Sequence, residues 1–504
     1  MNATQPGKQF WLILLAVFWA FYGLTGRDAW KAEEAVALAP VLDFLDDSTR
    51  LWQSPAPLFT WLAGTLAQLG EPWFEIQDGA RLASGVFTLS ALSLTALAAR
   101  SLFGVGFAIT SVLAMLGCLG LMLRMHALAP ETALLAAWSA LLAGVAVGRS
   151  SVFAGGALIG LALAALTLGL RGLPDLAAGL AIVLLPLLSR EWRQPLYFRA
   201  LGLGLGLFLI GVGGALAYLY SADLLDAWWK WHGQFPTLAT RSRALSELFW
   251  FAWPVWPLAL VALWHEHRRL GRATELHLPI LAVLVALLAS QAPAWSRDGA
   301  LLPLIPPLAL LAAYGVSHLK RGAAQGFYWF GVVCFLFFIF AFWLYFAALE
   351  WGVPIKLSIH MARLVPNYQP GAAGSILWPL LLTGLWLIAI PMFPRATIRP
   401  VLVWASGMVL MWTLLVGLYR PWAEAGWAYR PLIAELDRHL PAGACLKMEV
   451  DPAMRTMLRY HLHPAKRKNC AWLLTTAEHE GRLVWEGVRP RQKQQRYRLY
   501  HLEP

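Results

Sequence analysis

Long apolar stretches separated by short polar turns run along the chain from residue 10 to residue 418. A transmembrane helix needs roughly 20 apolar residues. Stretches of this kind predict about thirteen spans, at 10–26, 81–103, 105–123, 130–148, 151–170, 174–189, 199–220, 248–264, 277–294, 299–317, 326–347, 374–393 and 400–418. The segments 27–80 and 420–504 do not show this pattern. We therefore predict an all-α polytopic membrane protein whose first loop and tail carry its chemistry.

Composition supports this class. Of 504 residues, 59% are hydrophobic and 13% are charged, whereas soluble globular chains have about 45–50% apolar and about 25% charged residues. A soluble enzyme, a disordered chain and a repeat scaffold are thereby excluded. The net charge of +12 comes without a basic run interleaved with aromatics, so we expect no nucleic-acid partner. The cations instead predict cytoplasmic loops and contacts with anionic membrane lipids.

The distribution of basic residues predicts the orientation. An odd number of spans places the two termini on opposite sides of the membrane. Short loops rich in Lys and Arg lie on the cytoplasmic side. The basic residues of alternate short loops are Arg190, Arg193, Arg199, Arg268, Arg269, Arg272, Lys320, Arg321, Arg395 and Arg399. The N-terminus is therefore expected in the cytoplasm and the tail outside it.

The tail, 420–504, reads as a small extracytoplasmic α/β domain that follows a membrane domain of residues 1–419. Ile433, Leu436 and Leu440 recur at helical spacing after Pro431. Alternating apolar residues predict short strands at Leu446–Val450, Cys470–Leu474, Arg482–Glu486 and Arg496–Leu502.

Two of the four cysteines, Cys445 and Cys470, begin strand-like runs of the tail. In an oxidising compartment they could form a disulfide, which would stabilise the tail by roughly 3 kcal/mol. The alternative is a pair of buried free thiols. His461 and His463 lie near Cys470, but their spacing fits no standard zinc site, so no metal site is predicted.

The segment Gly26–Ala35 combines charges of both signs with a tryptophan directly after the first span. Taken alone, it reads as a solvated juxtamembrane turn whose charges neutralise each other. Carboxylates beside cations at a membrane surface can also provide a base next to an anion-binding site.

Similarity to a known protein family favours the second interpretation, a base next to an anion-binding site. Trp30–Ala35 resembles the W-[KR]-P-D-E-x signature of the membrane-embedded GT-C glycosyltransferases, in the branch of the lipid A aminoarabinose transferases and the dolichyl-phosphate-mannose-dependent protein O-mannosyltransferases. Ala32 replaces the usual proline. Glu33 stands where the family has an aspartate that is taken as catalytic.

Further segments resemble the family in the same order along the chain. Pro57–Ala63 is similar to the family's K-P-P-L-Y-Y-W-L-A segment, but Ser54 or Pro55 occupies the place of the lysine that helps to hold the donor phosphate. The other similar segments are Arg81–Ser84, Arg100–Gly104, His126–Glu131, Trp228–Phe235 and Ser296–Pro303.

The resemblance implies an inverting glycosyltransferase that takes a sugar from a polyprenyl (undecaprenyl) phosphate carrier at the outer face of a bacterial inner membrane. Glu33 is the expected base, with Asp28 as the alternative and Glu34 as an orienting or sugar-binding group. A phosphate leaving group needs preorganised cations. Arg297 is the first candidate for this role, and the others are Lys31 and Arg81.

Aromatic residues are the candidates for lining the sugar and lipid sites: Trp30, Trp61, Trp228 and Trp231, together with His232. An ordinary aromatic belt at the membrane interface is the alternative. The residues leave open whether a divalent cation, Mg²⁺ or Mn²⁺, takes part or side-chain cations suffice. We expect a monomer.

Other functions fit the pattern less well. A transporter or flippase would need ionisable residues near the middle of its spans, where this chain has few. A non-catalytic scaffold that presents the tail would explain the missing lysine and the aspartate-to-glutamate change. The acceptor, which could be lipid A, another glycolipid, a glycan or a protein, is not specified by the sequence.

Overall fold

The computed structural model describes residues 6–233, 244–290, 298–371, 376–393, 396–441, 443–463, 470–492 and 494–502. These residues are mostly helical. The α-helices are Pro6–Phe21, Ala32–Asp46, Pro57–Gly70, Ile76–Phe103, Val105–Leu116, Leu119–Arg124, Glu131–Val147, Val152–Leu168, Leu173–Leu184, Pro195–Ser221, Leu225–His232, Ala244–Phe251, Val255–Glu266, Thr274–Ala289, Ile305–Ser317, Arg321–Glu350, Ile355–Leu364, Leu377–Met392, Arg399–Trp427, Arg430–Asp437 and Pro452–Leu462.

Among the described residues, five helical stretches are long and apolar enough to cross a membrane, which supports a multi-pass membrane protein. They are Ile76–Phe103, Pro195–Ser221, Gly299–Ser317, Arg321–Glu350 and Arg399–Trp427. Shorter apolar helices occupy most of the other predicted spans, so the count of thirteen stays a prediction.

Two predicted spans are each divided into two helices. The span predicted at 105–123 breaks at Gly117 and Cys118, where Trp404 donates its indole N–H to the Gly117 carbonyl at 2.8 Å. The span predicted at 248–264 breaks before Val255, at Pro254, which has no N–H to continue a helix. Hydropathy cannot register such breaks, because the residues on both sides remain apolar.

Small residues let the membrane helices approach closely. A Cβ added to Gly155 would lie 2.3 Å from the Cα of Gly148, and one added to Gly160 would lie 2.8 Å from the carbonyl oxygen of Gly204. Such contacts are a main source of helix association in lipid, where apolar burial alone gives little driving force.

The first loop is itself helical. It contains Ala32–Asp46, hereafter the loop helix, a 3₁₀ turn at Ser48–Gln53, and Pro57–Gly70. The helix Pro57–Gly70 begins with a proline, at a position where the helix needs no backbone N–H. Ser54 accepts the N–H of Ala56 at 3.1 Å just before it.

The C-terminal unit, from Arg430 to Leu502, contains a four-stranded sheet. Its strands are Leu446–Glu449 (β1), Trp472–Thr475 (β2), Arg482–Val488 (β3) and Arg496–His501 (β4), in the order β1-β2-β4-β3. β1 and β2 are parallel, and the other two pairings are antiparallel. A disulfide joins Cys445 and Cys470, which precede the parallel pair. The preceding helix continues to Trp427, beyond the boundary predicted at residue 420.

The helix Pro452–Leu462 of this unit, which the sequence analysis did not predict, lies against the loop helix. Arg459 joins the two, with Nη1 2.6 Å from Asp43 Oδ1 and Nη2 2.7 Å from Asp46 Oδ2. Arg430 forms an ion pair with Glu75 nearby. The first loop is therefore held between the membrane helices and the C-terminal unit.

Candidate active site

A cavity of about 560 Å³ opens along the loop helix and the turn that follows it. We call it the loop cavity. Its walls come from four parts of the chain: the loop helix, the segment 50–60, the segment 124–131 and Trp231. Its charged and polar lining residues are Lys31, Glu33, Glu34, Asp43, Arg50, Gln53, Ser54, Thr60, Arg124 and Glu131.

Glu33 lies in this cavity as an accessible carboxylate. It occupies the first turn of the loop helix, and 49% of its side chain is exposed. Arg124, at the end of helix Leu119–Arg124, donates from Nη1 to Glu33 Oε2 at 2.6 Å. The cavity therefore holds a carboxylate and a guanidinium in direct contact, with the carboxylate open to a substrate.

Two more cations and three more carboxylates, Glu34, Asp43 and Glu131, line the same cavity as this pair. Lys31 and Arg50 line the same cavity, and Arg50 lies 3.8 Å from Asp43. Glu131 begins the helix Glu131–Val147, and its side chain is buried. Among the described residues, no three side chains of the cavity have the spacing of a metal site.

Glu34, next to Glu33, is buried in a different environment. It accepts from Arg27 at 3.0 and 2.9 Å, from Arg81 Nε at 2.7 Å, and from the N–H of Leu128 at 3.1 Å. Burial would raise the pKa of the Glu34 carboxyl, but the charges of Arg27 and Arg81 outweigh it and lower the pKa to about 2. Glu34 thus fixes the loop helix to its surroundings as a permanent anion.

Asp28, the alternative base, is placed by the structure outside the lining of the loop cavity. Its Oδ2 accepts the backbone N–H groups of Tyr429 and Arg430, both at 2.8 Å, at the start of a helix of the C-terminal unit. Burial would raise its pKa, but hydrogen bonding to His461 and the nearby charge of that ring, with the N–H of Arg430 and the amide of Gln77, lower it to about 2. A carboxylate held this way is a poor proton acceptor and a good docking group.

The three predicted phosphate-binding cations have different places. Lys31 lines the loop cavity. Arg81 is fully buried and donates to Glu34, to Asp78 and to the carbonyl of Arg27, so it supports the loop rather than facing the cavity. Arg297 lies outside the described residues.

The aromatic residues predicted to line the sugar and lipid sites also lie in different parts of the structure. Trp231 is half exposed and lines the loop cavity. Trp30 donates its indole N–H to Glu424 at 2.7 Å and lies under the guanidinium of Arg27. Trp228 and His232 are buried and stack on each other with ring centroids 4.9 Å apart, which is packing rather than a ligand surface.

Trp61 lines a second, apolar groove of about 470 Å³. The groove shares the segment 50–61 with the loop cavity: Trp52 and Pro57 face the groove, whereas Gln53 and Ser54 face the cavity. Leu161 forms part of its opposite wall. The segment 50–61 therefore forms a wall of both the charged cavity and the apolar groove.

Three residues that line the cavity were not among the candidates predicted from the sequence: Arg50, Arg124 and Glu131. Arg124 directly follows a predicted span, so it reads as an ordinary end-of-helix cation. Glu131 is the last residue of the segment His126–Glu131, and the resemblance of this segment to the family could have indicated Glu131 as a site residue. Arg50 had no such signal.

Comparisons with known proteins bear on the fold. No protein-family model matches the chain, and no curated protein matches it in sequence. The crystal structure of ArnT from Cupriavidus metallidurans bound to undecaprenyl phosphate matches with a TM-score of 0.64 at 18% identity, over 91% of this chain and 85% of that chain. The apo state of ArnT from the same organism gives a TM-score of 0.63 at 18% identity, over 90% and 84%.

A crystal structure of the Archaeoglobus fulgidus oligosaccharyltransferase is more distant, with a TM-score of 0.36 at 11% identity over 91% of this chain and 64% of that chain. The resemblance inferred from the sequence is thereby confirmed at the level of the fold: this chain has the fold of the GT-C glycosyltransferase ArnT.

Proposed function

We propose that this protein is an inverting glycosyltransferase that moves a sugar from a polyprenyl-phosphate carrier to an acceptor hydroxyl in the loop cavity. The observation that carries the proposal is the contact of the half-exposed Glu33 carboxylate with the Arg124 guanidinium at 2.6 Å, in a cavity that adjoins an apolar groove. A lipid-linked sugar phosphate needs a charged site and an apolar site side by side.

The cavity residues suit a single displacement. The acceptor oxygen attacks the anomeric carbon of the sugar, the bond from that carbon to the phosphate oxygen breaks, and Glu33 takes the proton of the acceptor hydroxyl. The phosphate monoester leaves with the bonding electrons. Arg124, Lys31 and Arg50 surround the place where its negative charge develops, and such preorganised cations stabilise the transition state.

The apolar groove supplies a place for the carrier lipid. Trp61 and Trp52 line it beside the segment that also forms the cavity wall, so an isoprenoid chain can lie in the groove with its phosphate in the cavity. The ArnT structure with the higher TM-score contains undecaprenyl phosphate, which is the chemistry proposed for the donor here.

The remaining assignments belong to the same proposal. The membrane domain has thirteen spans with a cytoplasmic N-terminus, and the small C-terminal domain faces the periplasm of a bacterial inner membrane. The loop cavity then opens on the periplasmic side, where nucleotide sugars are absent and a lipid-linked donor is required. The acceptor is lipid A, another glycolipid, a glycan or a protein, and the enzyme acts as a monomer.

A transfer assay tests the proposal. Purified protein in detergent is given radiolabelled undecaprenyl-phosphate sugars and a membrane-lipid extract from cells lacking the protein, which supplies unmodified lipid acceptors. We expect a labelled acceptor and released undecaprenyl phosphate, and we expect Glu33→Gln to lower the rate by about 10²–10⁴-fold, the usual contribution of a positioned base.

Glu71→Gln is the matched control, because Glu71 is an exposed glutamate of the same loop that does not line the cavity. Its rate should equal that of the wild type. Equal rates for Glu33→Gln and Glu71→Gln would refute the role of Glu33. Failure to consume any polyprenyl-phosphate sugar, including when glycan and protein acceptors replace the lipid extract, would refute the transferase assignment.

A further inference from the structure

Two helices, Val255–Glu266 and Ile305–Ser317, end side by side at a place remote in sequence from the loop cavity. They approach closely because residue 315 is glycine: an added Cβ would lie 2.0 Å from the carbonyl oxygen of Leu258. Each helix directs its last carbonyl groups, and hence the negative end of its dipole, toward this place.

Three possible metal ligands meet there: His265, Glu266 and His318. One ligand atom from each lies within 4.8 Å of the other two. The rings of His265 and His318 have centroids 4.1 Å apart, and His265 Nε2 lies 3.7 Å from Glu266 Oε1. The Glu266 side chain is 15% exposed and that of His265 is 49% exposed, so an ion has access from solvent.

Neighbouring groups orient two of these ligands. His318 Nδ1 lies 2.9 Å from the carbonyl oxygen of Tyr314 and 3.0 Å from Ser317 Oγ. In the tautomer that donates from Nδ1 to the carbonyl, Nε2 keeps its lone pair for a metal ion. The Tyr314 hydroxyl donates to Glu266 Oε1 at 3.0 Å and leaves Oε2 available. Such outer hydrogen bonds are typical of zinc ligands, whose tautomer and direction they fix.

We propose that His265, Glu266 and His318 form a zinc-binding site. Two imidazoles and one carboxylate are a ligand set that Zn²⁺ prefers, and three protein ligands leave the fourth position to water. At Zn–N and Zn–O distances of about 2.0–2.2 Å, tetrahedral ligand atoms lie roughly 3.4 Å apart. The exposed His265 ring can close the remaining gap by rotating. The ion would join the ends of the two helices.

Zinc titration tests the site. Tag-free protein in detergent is stripped with a chelator and titrated with ZnCl₂ in competition with a fluorescent zinc indicator. We expect the wild type to bind one more equivalent than Glu266→Gln and His318→Ala, or to bind it at least about tenfold more tightly. His267→Ala is the matched control, because His267 is exposed near the end of the same helix and does not belong to the cluster.

A stability measurement provides a second readout. Zinc should raise the melting temperature of the wild type and of His267→Ala, but not that of His265→Ala. His265 is half exposed, so its replacement leaves no cavity in the core. Tyr314→Phe should weaken zinc binding by about tenfold, because it removes only the outer hydrogen bond. Identical zinc binding by the wild type and the His265→Ala/His318→Ala double variant would overturn the proposal. None of these residues lines the loop cavity, so transferase activity is a separate observation.

Discussion

Adjacent glutamates in the loop helix should respond in opposite ways to the same substitution. Glu33→Gln removes an accessible carboxylate that is 49% exposed and whose described ion pair is with Arg124. The amide oxygen of the new side chain can still accept from that guanidinium. Arg124 is only 8% exposed, but the retained amide oxygen keeps it hydrogen-bonded, so we expect Glu33→Gln to lose little stability and to lose transfer.

Glu34→Gln should instead destabilise the protein. Glu34 pairs with Arg27 and Arg81, all three side chains being at most 4% exposed. Removing one partner from a buried ion pair leaves an uncompensated charge and costs about 3–5 kcal/mol. The loss is expected to lower the melting temperature clearly, because Leu128 also loses part of its hydrogen bond to the same carboxylate.

The assay is thermal unfolding of both variants in the same detergent, followed by transfer rates measured well below the lower melting temperature. We expect Glu33→Gln to melt like the wild type and to be inactive. Glu34→Gln should melt earlier and lose activity as its folded fraction falls. Equal melting temperatures for the two variants, or a normal rate in Glu33→Gln, would refute this division of roles.

Three further predictions concern the cations, the groove and the C-terminal unit. Arg124→Ala should lower kcat/KM by about 10²–10³-fold, because it removes a donor to the leaving phosphate, and steady-state kinetics with a polyprenyl-phosphate sugar would measure this; an unchanged value would contradict it. Trp61→Ala should raise KM by about tenfold for a long-chain donor and leave a short-chain donor unaffected; equal effects on both donors would count against the groove. Asp28→Asn should speed limited proteolysis after residue 428, since its carboxylate holds the N–H groups of Tyr429 and Arg430. The pKa of Asp28 is lowered from 3.8 to about 2. The contact in the wild type is therefore fully formed above about pH 4 and is lost as the pH falls through about 2. The difference in proteolysis rate between the wild type and the variant should be constant from about pH 5 to 8.

The sequence predicted the membrane class and the strands of the C-terminal sheet well, because both depend on local patterns. Apolar stretches identify membrane helices without knowledge of their neighbours. Strand β4, predicted at Arg496–Leu502, is observed at Arg496–His501. The resemblance at Trp30–Ala35 drew attention to Glu33, which the structure places in the loop cavity.

Partners of the charged residues could not be predicted, because they depend on contacts between distant segments. Glu33 and Glu34 are consecutive, chemically identical and both line the cavity, yet Glu33 is half exposed and Glu34 is buried between two arginines. Asp28 is held by residues some 400 positions later in the chain, near Tyr429. The helix Pro452–Leu462 packs against the loop helix. It contains no long apolar stretch, so no local pattern in the sequence predicts this contact.

A structure of the protein with undecaprenyl phosphate, determined by electron cryo-microscopy, would test the central claim most directly. We predict that the phosphate contacts Arg124 in the loop cavity, within reach of Glu33, and that the isoprenoid chain lies along Trp61 in the apolar groove. A phosphate bound elsewhere, with the loop cavity and the groove both left without lipid, would contradict this assignment of the donor site.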